Sequence, residues 1–162
     1  MIAKFVVLAL SGVAFSSSMP ASVGQPNVPY QITDVRVHLF YSREGTFSAN
    51  LVGTRNMNSL WNTIIGAGQA GGASSATLVV VEVSGQPGSY GGESSVELVV
   101  RGTKKEILRR RQSLDVLSDK GKGYVGFWLY DTGCEPLRTS AKLVGKTKSN
   151  PVSVEIPFRC GE

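Results

Sequence analysis

The sequence predicts an all-β protein, an antiparallel β-sandwich of about seven or eight short strands. Three observations lead to this fold class. Apolar and polar residues alternate with period two along much of the chain, turn-forming residues recur about every 8 to 12 residues, and helical periodicity is scarce. An immunoglobulin-like or related Greek-key topology is the first expectation for such a pattern.

The individual strands follow from the alternation. In the first of them Val35, Val37, Leu39 and Tyr41 share one face, as in a strand with one buried side. The last two strands show the strongest pattern, because Arg138, Ser140 and Lys142 alternate with apolar neighbours before a turn-rich connection at 145–151. The predicted strands are 34–41, 46–52, 77–83, 95–101, 104–112, 124–130, 137–143 and 152–158.

Three of these segments carry more specific expectations. Consecutive valines in 77–83 predict a strand buried on both faces, and the apolar and aromatic residues on both sides of 124–130 favour a central strand. Segment 104–112 is consistent with a strand or with a helix, since its periodicity does not decide between them.

Cys134 and Cys160 are the two cysteines of the chain, and they bracket the last predicted hairpin. A hairpin folded near residues 147 and 148 pairs positions whose numbers sum to about 295, which places Cys134 opposite residue 161 and beside Cys160. We therefore expect a disulfide, which on the chain-entropy model stabilises the fold by about 3 to 4 kcal/mol. Pro157 lacks a backbone donor, so the final strand is expected either at a sheet edge or with its proline position facing away from the neighbouring strand.

The first 24 residues have the layout of a cleavable secretory signal peptide. Lys4 precedes an apolar run at 5–15, and small polar residues follow, with cleavage expected between residues 18 and 24. The mature chain, 25–162, then forms a single domain in a bacterial periplasm or outside the cell. No later segment is long and apolar enough to predict a membrane span.

Charge and composition limit the expected partners. Removing the signal takes away one positive charge, Lys4, so the formal net charge falls from +5 to +4. A mildly basic surface is compatible with a protein or an anionic component of the cell envelope, whereas no nucleic-acid partner is expected. The sequence leaves the oligomeric state open.

A cluster of cations is the feature most suggestive of binding, and it comprises Lys104, Lys105, Arg109, Arg110 and Arg111. In a strand, Arg109 and Arg111 would share one face and Arg110 would point to the other. Two interpretations remain open for the cluster: protection of an edge strand against self-association, or contact with an anion.

The long connection at 53–76 contains the spacing of a dinucleotide-binding motif at 66–71. A valine-rich strand follows instead of a helix, so no helix N-terminus would meet a phosphate, and we expect no cofactor. The connection is long for a compact domain, and Trp61 and Gln69 are its candidate contact residues.

No catalytic motif is evident. His38 is the only histidine, it has no neighbouring nucleophile motif, and the scattered carboxylates show no catalytic pairing or metal-ligand spacing. The leading hypothesis is therefore an exported, noncatalytic interaction module. The alternatives are an envelope hydrolase with a site assembled from dispersed residues, and a carrier of a small ligand or metal that uses the 53–76 connection.

Overall fold

The structure, a computed structural model, describes residues 29–53, 74–130, 135–156 and 158. The signal peptide, the predicted disulfide between Cys134 and Cys160, and the candidate contacts Trp61 and Gln69 lie outside these residues and stay predictions. The described ranges contain no helix long and apolar enough to cross a membrane.

Eight strands in the described residues form two antiparallel sheets of four strands each. The first sheet has the order β2-β1-β3-β6 and the second has the order β5-β4-β7-β8. The strands are β1 (Gln31–Tyr41), β2 (Thr46–Phe47), β3 (Ala76–Ser84), β4 (Ser94–Arg101), β5 (Glu106–Ser113), β6 (Lys122–Leu129), β7 (Leu137–Gly145) and β8 (Val152–Ile156).

The predicted antiparallel sandwich is confirmed by this arrangement. Setting aside the two-residue β2, the remaining seven strands have an immunoglobulin-like order, β1-β3-β6 facing β5-β4-β7-β8. The fourth of these seven, β5, pairs with β4 rather than with β6, so it differs from the constant-type order of antibody domains. Hairpins join β4 to β5 and β7 to β8, whereas the chain changes sheet at three other connections.

The core lies between the two sheets and is formed mainly by alternate residues of β1, β3, β4, β6, β7 and β8. Val37, Val79, Leu98 and Phe127 are fully buried, and they come from four strands of the two sheets. This alternation allowed the strands to be predicted from the sequence, because along a strand each inward residue is followed by one that faces outward.

One end of the sandwich is closed by the loops that follow β3 and β5. The amide of Gly85 donates to the carbonyl of Gly121 at 2.9 Å, and that of Leu117 donates to Ser89 at 3.0 Å. Leu114 and Leu117 are buried beneath these bonds. The loops therefore cover this end of the core and exclude water from it.

Two predicted strands differ from the structure. Segment 124–130 was expected at a sheet centre, but β6 lies at the edge of the first sheet, because its outward aromatic residues form a surface instead of a second packed layer. Of segment 46–52, only Thr46–Phe47 is a strand. Beyond it the side chains of Ser48 and Asn50 accept hydrogen bonds from the amides of β1, and the amides of Ser48 and Leu51 donate to β1 carbonyls, so side-chain and backbone bonds together replace a regular ladder.

The strand pairing also tests the expectations for segment 104–112, for the final strand and for the register of the closing hairpin. Segment 104–112 is an edge strand, β5, and the final strand β8 also lies at an edge, one of its two expected positions. In the closing hairpin Leu137 pairs with Ile156, so paired positions sum to 293 rather than about 295. The predicted register was thus two positions from the observed one.

Candidate anion-binding groove

The outer face of the second sheet is organised around one buried carboxylate, Glu97 on β4. Register places Arg111 of β5 on one side of it and Lys142 of β7 on the other. Arg111 Nε lies 2.7 Å from Glu97 Oε2, and Lys142 Nζ lies 3.0 Å from Oε1. Arg109 adds a third cation, with Nη1 at 3.2 Å from Oε1.

Burial and charge act in opposite directions on Glu97, and charge prevails. Only 1% of the side chain is exposed, which by itself would raise the pKa of the carboxyl group. Hydrogen bonds from Arg111 and Lys142 outweigh this and hold the pKa of Glu97 below its ordinary value. The carboxylate therefore stays ionised and fixes three basic side chains over the sheet.

Beside Glu97 the same face is concave. A first concavity of about 410 Å³ is lined by Val99, Arg101, Arg109, Arg138, Ser140, Lys142, Pro151 and Ser153. A second of about 370 Å³ adjoins it and is lined by Arg101, Gly102, Thr103, Pro136, Leu137, Arg138, Glu155 and Ile156. The two share Arg101 and Arg138, and we call them together the basic groove.

Two like charges face each other in the basic groove. Arg101 of β4 and Arg138 of β7 are direct cross-strand partners, an arrangement that is destabilising in a sheet unless something compensates for it. Among the described residues the compensation is small. Arg101 lies 3.9 Å from Glu106, and Arg138 makes a 2.6 Å ion pair with Glu155 in which both side chains are about 70% exposed.

Hydroxyl groups complete the lining. Ser153 and Ser140 are cross-strand partners, and their hydroxyl oxygens lie 3.3 Å apart. Guanidinium, ammonium and hydroxyl groups are the donors that bind carboxylate, phosphate and sulfate oxygens. Among the residues that line the groove, Glu155 is the only acid. The arrangement is therefore suited to binding an anion.

Comparison with known proteins does not add a family. No protein-family model matches the chain. No curated protein matches it at a significant level either.

The predicted basic cluster is divided by the fold. Arg109 lines the groove and Arg111 binds Glu97, as expected for residues on one face, whereas Arg110 pairs with the buried Leu98 position on the opposite side of the strand. Lys104 and Lys105 lie in the β4–β5 turn. Hydrogen bonds from Thr103 are the main cause of the lowered pKa of Glu135, and the charges of the two lysines contribute less.

Sequence reasoning did not assign the other groove cations, Arg101, Arg138 and Lys142. A signal for two of them was present, because Arg138, Ser140 and Lys142 alternate on the outward face of their strand. What was missing was the sheet order, which places β7 beside β4 and brings this row next to Arg101.

The outer face of the first sheet has a comparable buried carboxylate, Glu82. Lys122 Nζ lies 2.7 Å from it and Arg36 Nη2 3.1 Å, and these contacts hold its pKa below the ordinary value. On the same face His38 Nδ1 donates to the carbonyl of Ser48 at 2.9 Å. In the described part of the chain no three His, Cys, Asp or Glu side chains gather into a metal-ligand cluster.

Proposed function

We propose that the chain is an exported, noncatalytic β-sandwich module that binds an anionic component of the cell envelope through the basic groove. The observation that carries the proposal is the cross-strand pair Arg101 and Arg138. Two arginines opposite each other cost stability in a sheet, and an anion seated between them would offset that cost.

The geometry supports binding better than hydrolysis. The groove gathers four cations and three hydroxyl groups, and its one acid, Glu155, is ion-paired with Arg138. The two buried carboxylates, Glu82 and Glu97, have pKa values below their ordinary range, which suits a structural anion and not a general acid.

The first test removes charge from the groove. The double variant Arg101→Ala, Arg138→Ala of the mature chain should bind anions at least about tenfold more weakly, since each charge-assisted hydrogen bond is worth about 1.5 to 3 kcal/mol. Binding is measured to vesicles containing phosphatidylglycerol and, separately, to dextran sulfate, each at low and physiological salt. Wild-type binding should weaken as salt screens the cations.

A matched control comes from the predicted cluster itself. The variant Lys104→Ala, Lys105→Ala removes the same number of charges from exposed turn residues outside the groove lining. We expect it to retain most of the affinity. Equal losses in the two variants would show attraction to net charge alone, and the absence of binding to both probes would reject the proposed contact.

Export and the disulfide belong to the same proposal. Leu137 and Ile156 are the outermost observed pair of the closing hairpin, and in sequence Cys134 precedes the first by three residues while Cys160 follows the second by four. Intact mass of the protein recovered from the exporting host should lack the first 18 to 24 residues and should rise by two hydrogen atoms on reduction. An exported chain that retains Met1, or that contains two free thiols before reduction, would contradict this.

A further inference from the structure

β6 has a free side from Gly123 onward. The strand pairs with β3 from Lys122 to Leu129. On its other side Ser118 donates its amide to the Lys122 carbonyl at 2.9 Å and accepts from the Lys122 amide at 3.2 Å, and no described residue bonds to that side beyond Lys122. Such an edge presents unpaired backbone donors and acceptors, which form a template for another strand.

The other sheet edges are obstructed. Beside β1, Ser48 and Leu51 donate backbone hydrogen bonds to Leu39 and Val37. β5 carries consecutive arginines at its centre, and β8 has five residues with Pro151 before it and Pro157 after it in sequence. Of the sheet edges in the described residues, that of β6 is therefore the most accessible to another strand.

Aromatic rings and balanced charges surround β6. Arg36 lies 5.4 Å over the Tyr124 ring but is paired with Asp34 and Glu82, so it brings no net charge to β6. The only charged residue of β6, Lys122, is ion-paired with Glu82. On its outer side Trp128 packs against Phe40, with ring centroids 5.4 Å apart, and Tyr124 is 58% exposed. A molecule with net positive charge is least repelled by a copy of itself at such a neutral edge.

We propose that the partner of this edge is a second copy of the chain, with two β6 strands paired antiparallel about a two-fold axis at Val125. This register sets small residues against large ones: Gly123 opposite Phe127, and Gly126 opposite Tyr124. The outward side of Gly126 has room, because a Cβ there would meet only Leu78, at 3.4 Å. A tyrosine covering an edge glycine is a recognised source of sheet stability.

The intermolecular pairing ends before Lys122, because Ser118 holds the backbone groups of that residue and Glu82 its ammonium group, so the paired stretch runs from Gly123 to Phe127. An isologous interface requires a self-complementary surface, and the β6 sequence has that property about Val125. The two first sheets then form one continuous sheet of eight strands.

The symmetry has a consequence for the groove. A two-fold axis perpendicular to the joined sheet leaves the second sheet of each copy on the same side, so both basic grooves face one way. An anionic polymer or membrane surface would then engage two grooves at once, which raises the overall affinity without a new contact.

The test compares two lysine substitutions at exposed tyrosines. Tyr124→Lys places two ammonium groups close to the axis, whereas Tyr90→Lys makes the same change at a loop residue that is 73% exposed. Sedimentation velocity of the mature chain across the micromolar range should show a dimer. The dimer dissociation constant should rise at least about tenfold in Tyr124→Lys, a difference of about 1.4 kcal/mol, and stay unchanged in Tyr90→Lys.

Hydrogen exchange gives a second readout. Protection of the β6 amides should increase with protein concentration while that of β5 stays constant. A protein that remains monomeric, or a dimer that both variants weaken equally, would overturn the proposal. So would a monomer whose β6 edge is protected at every concentration, because a segment of the same chain would then cover it.

Discussion

Replacing Glu97 with glutamine, Glu97→Gln, is expected to lower the free energy of unfolding by about 3 kcal/mol at neutral pH, the lower end for breaking a buried ion pair. The carboxylate is buried and accepts from Arg109, Arg111 and Lys142. The glutamine side chain retains one acceptor oxygen. Its NH2 group would face the cationic donors and cannot accept from them, so hydrogen bonds made by the second carboxylate oxygen are lost. The three basic side chains are each at least two-fifths exposed and would turn to water, which keeps the loss from being larger.

The same carboxylate predicts a pH dependence. The folded-state pKa of Glu97 lies below its ordinary value of 4.5, so ionised Glu97 stabilises the fold fully above that ordinary value. The contribution is lost as pH falls through the lowered folded-state pKa. Chemical denaturation from neutral to acid pH should therefore show the wild type and Glu97→Gln converging in acid. Glu82 titrates in both proteins and cancels, so the difference between them reports Glu97 together with its smaller effect on the pKa of the neighbouring Glu106.

A surface carboxylate on the same sheet provides the control. Glu155 pairs with Arg138 at 2.6 Å, but its side chain is 71% exposed. Glu155→Gln should change the free energy of unfolding little, because exposed ion pairs contribute little. A Glu97→Gln protein as stable as Glu155→Gln, or a stability gap that persists unchanged in acid, would contradict the role given to the buried carboxylate.

The parts of the fold that can be predicted from the sequence are those that depend on residues close together in the chain. Alternation identified β1, β7 and β8 because the more buried side chains recur every two residues along each of them. It also identified β4, where Val96, Leu98 and Val100 alternate although the outer face of that strand is largely buried as well. It placed β6 wrongly at a sheet centre. Apolar residues on both faces mark a central strand, but they equally mark an edge strand whose outer face carries an exposed aromatic surface, and periodicity does not separate the two.

The residues of the basic groove likewise divide into those that a local pattern predicts and those that only the sheet order brings together. Arg109 and Arg111 were expected on one face because they lie two residues apart in a strand, and that face holds them. Arg101 and Arg138 are 37 positions apart, and only the pairing of β4 with β7 makes them neighbours. Glu97 looked like one scattered carboxylate, since its burial depends on cations supplied by two other strands.

The largest expected effect is at the core side of β6. Phe127 is fully buried and lies opposite Val79 of β3. Phe127→Ala removes most of a buried aromatic side chain and leaves a cavity, so the free energy of unfolding should fall by about 4 kcal/mol. Such a loss is a large share of the 5 to 15 kcal/mol that is typical of a whole domain.

Urea denaturation at low protein concentration, where the proposed dimer is dissociated, measures this loss. The control is Tyr124→Ala on the same strand, which removes an aromatic ring that is 58% exposed and stacks under Arg36 at 5.4 Å. It should cost less than about 1 kcal/mol. Similar losses in the two variants would show that β6 detaches without opening the core. A large difference would show that the inner side of β6 supports the fold, because Phe127 anchors the strand in the core, and a strand anchored in this way holds its outer edge in a fixed position.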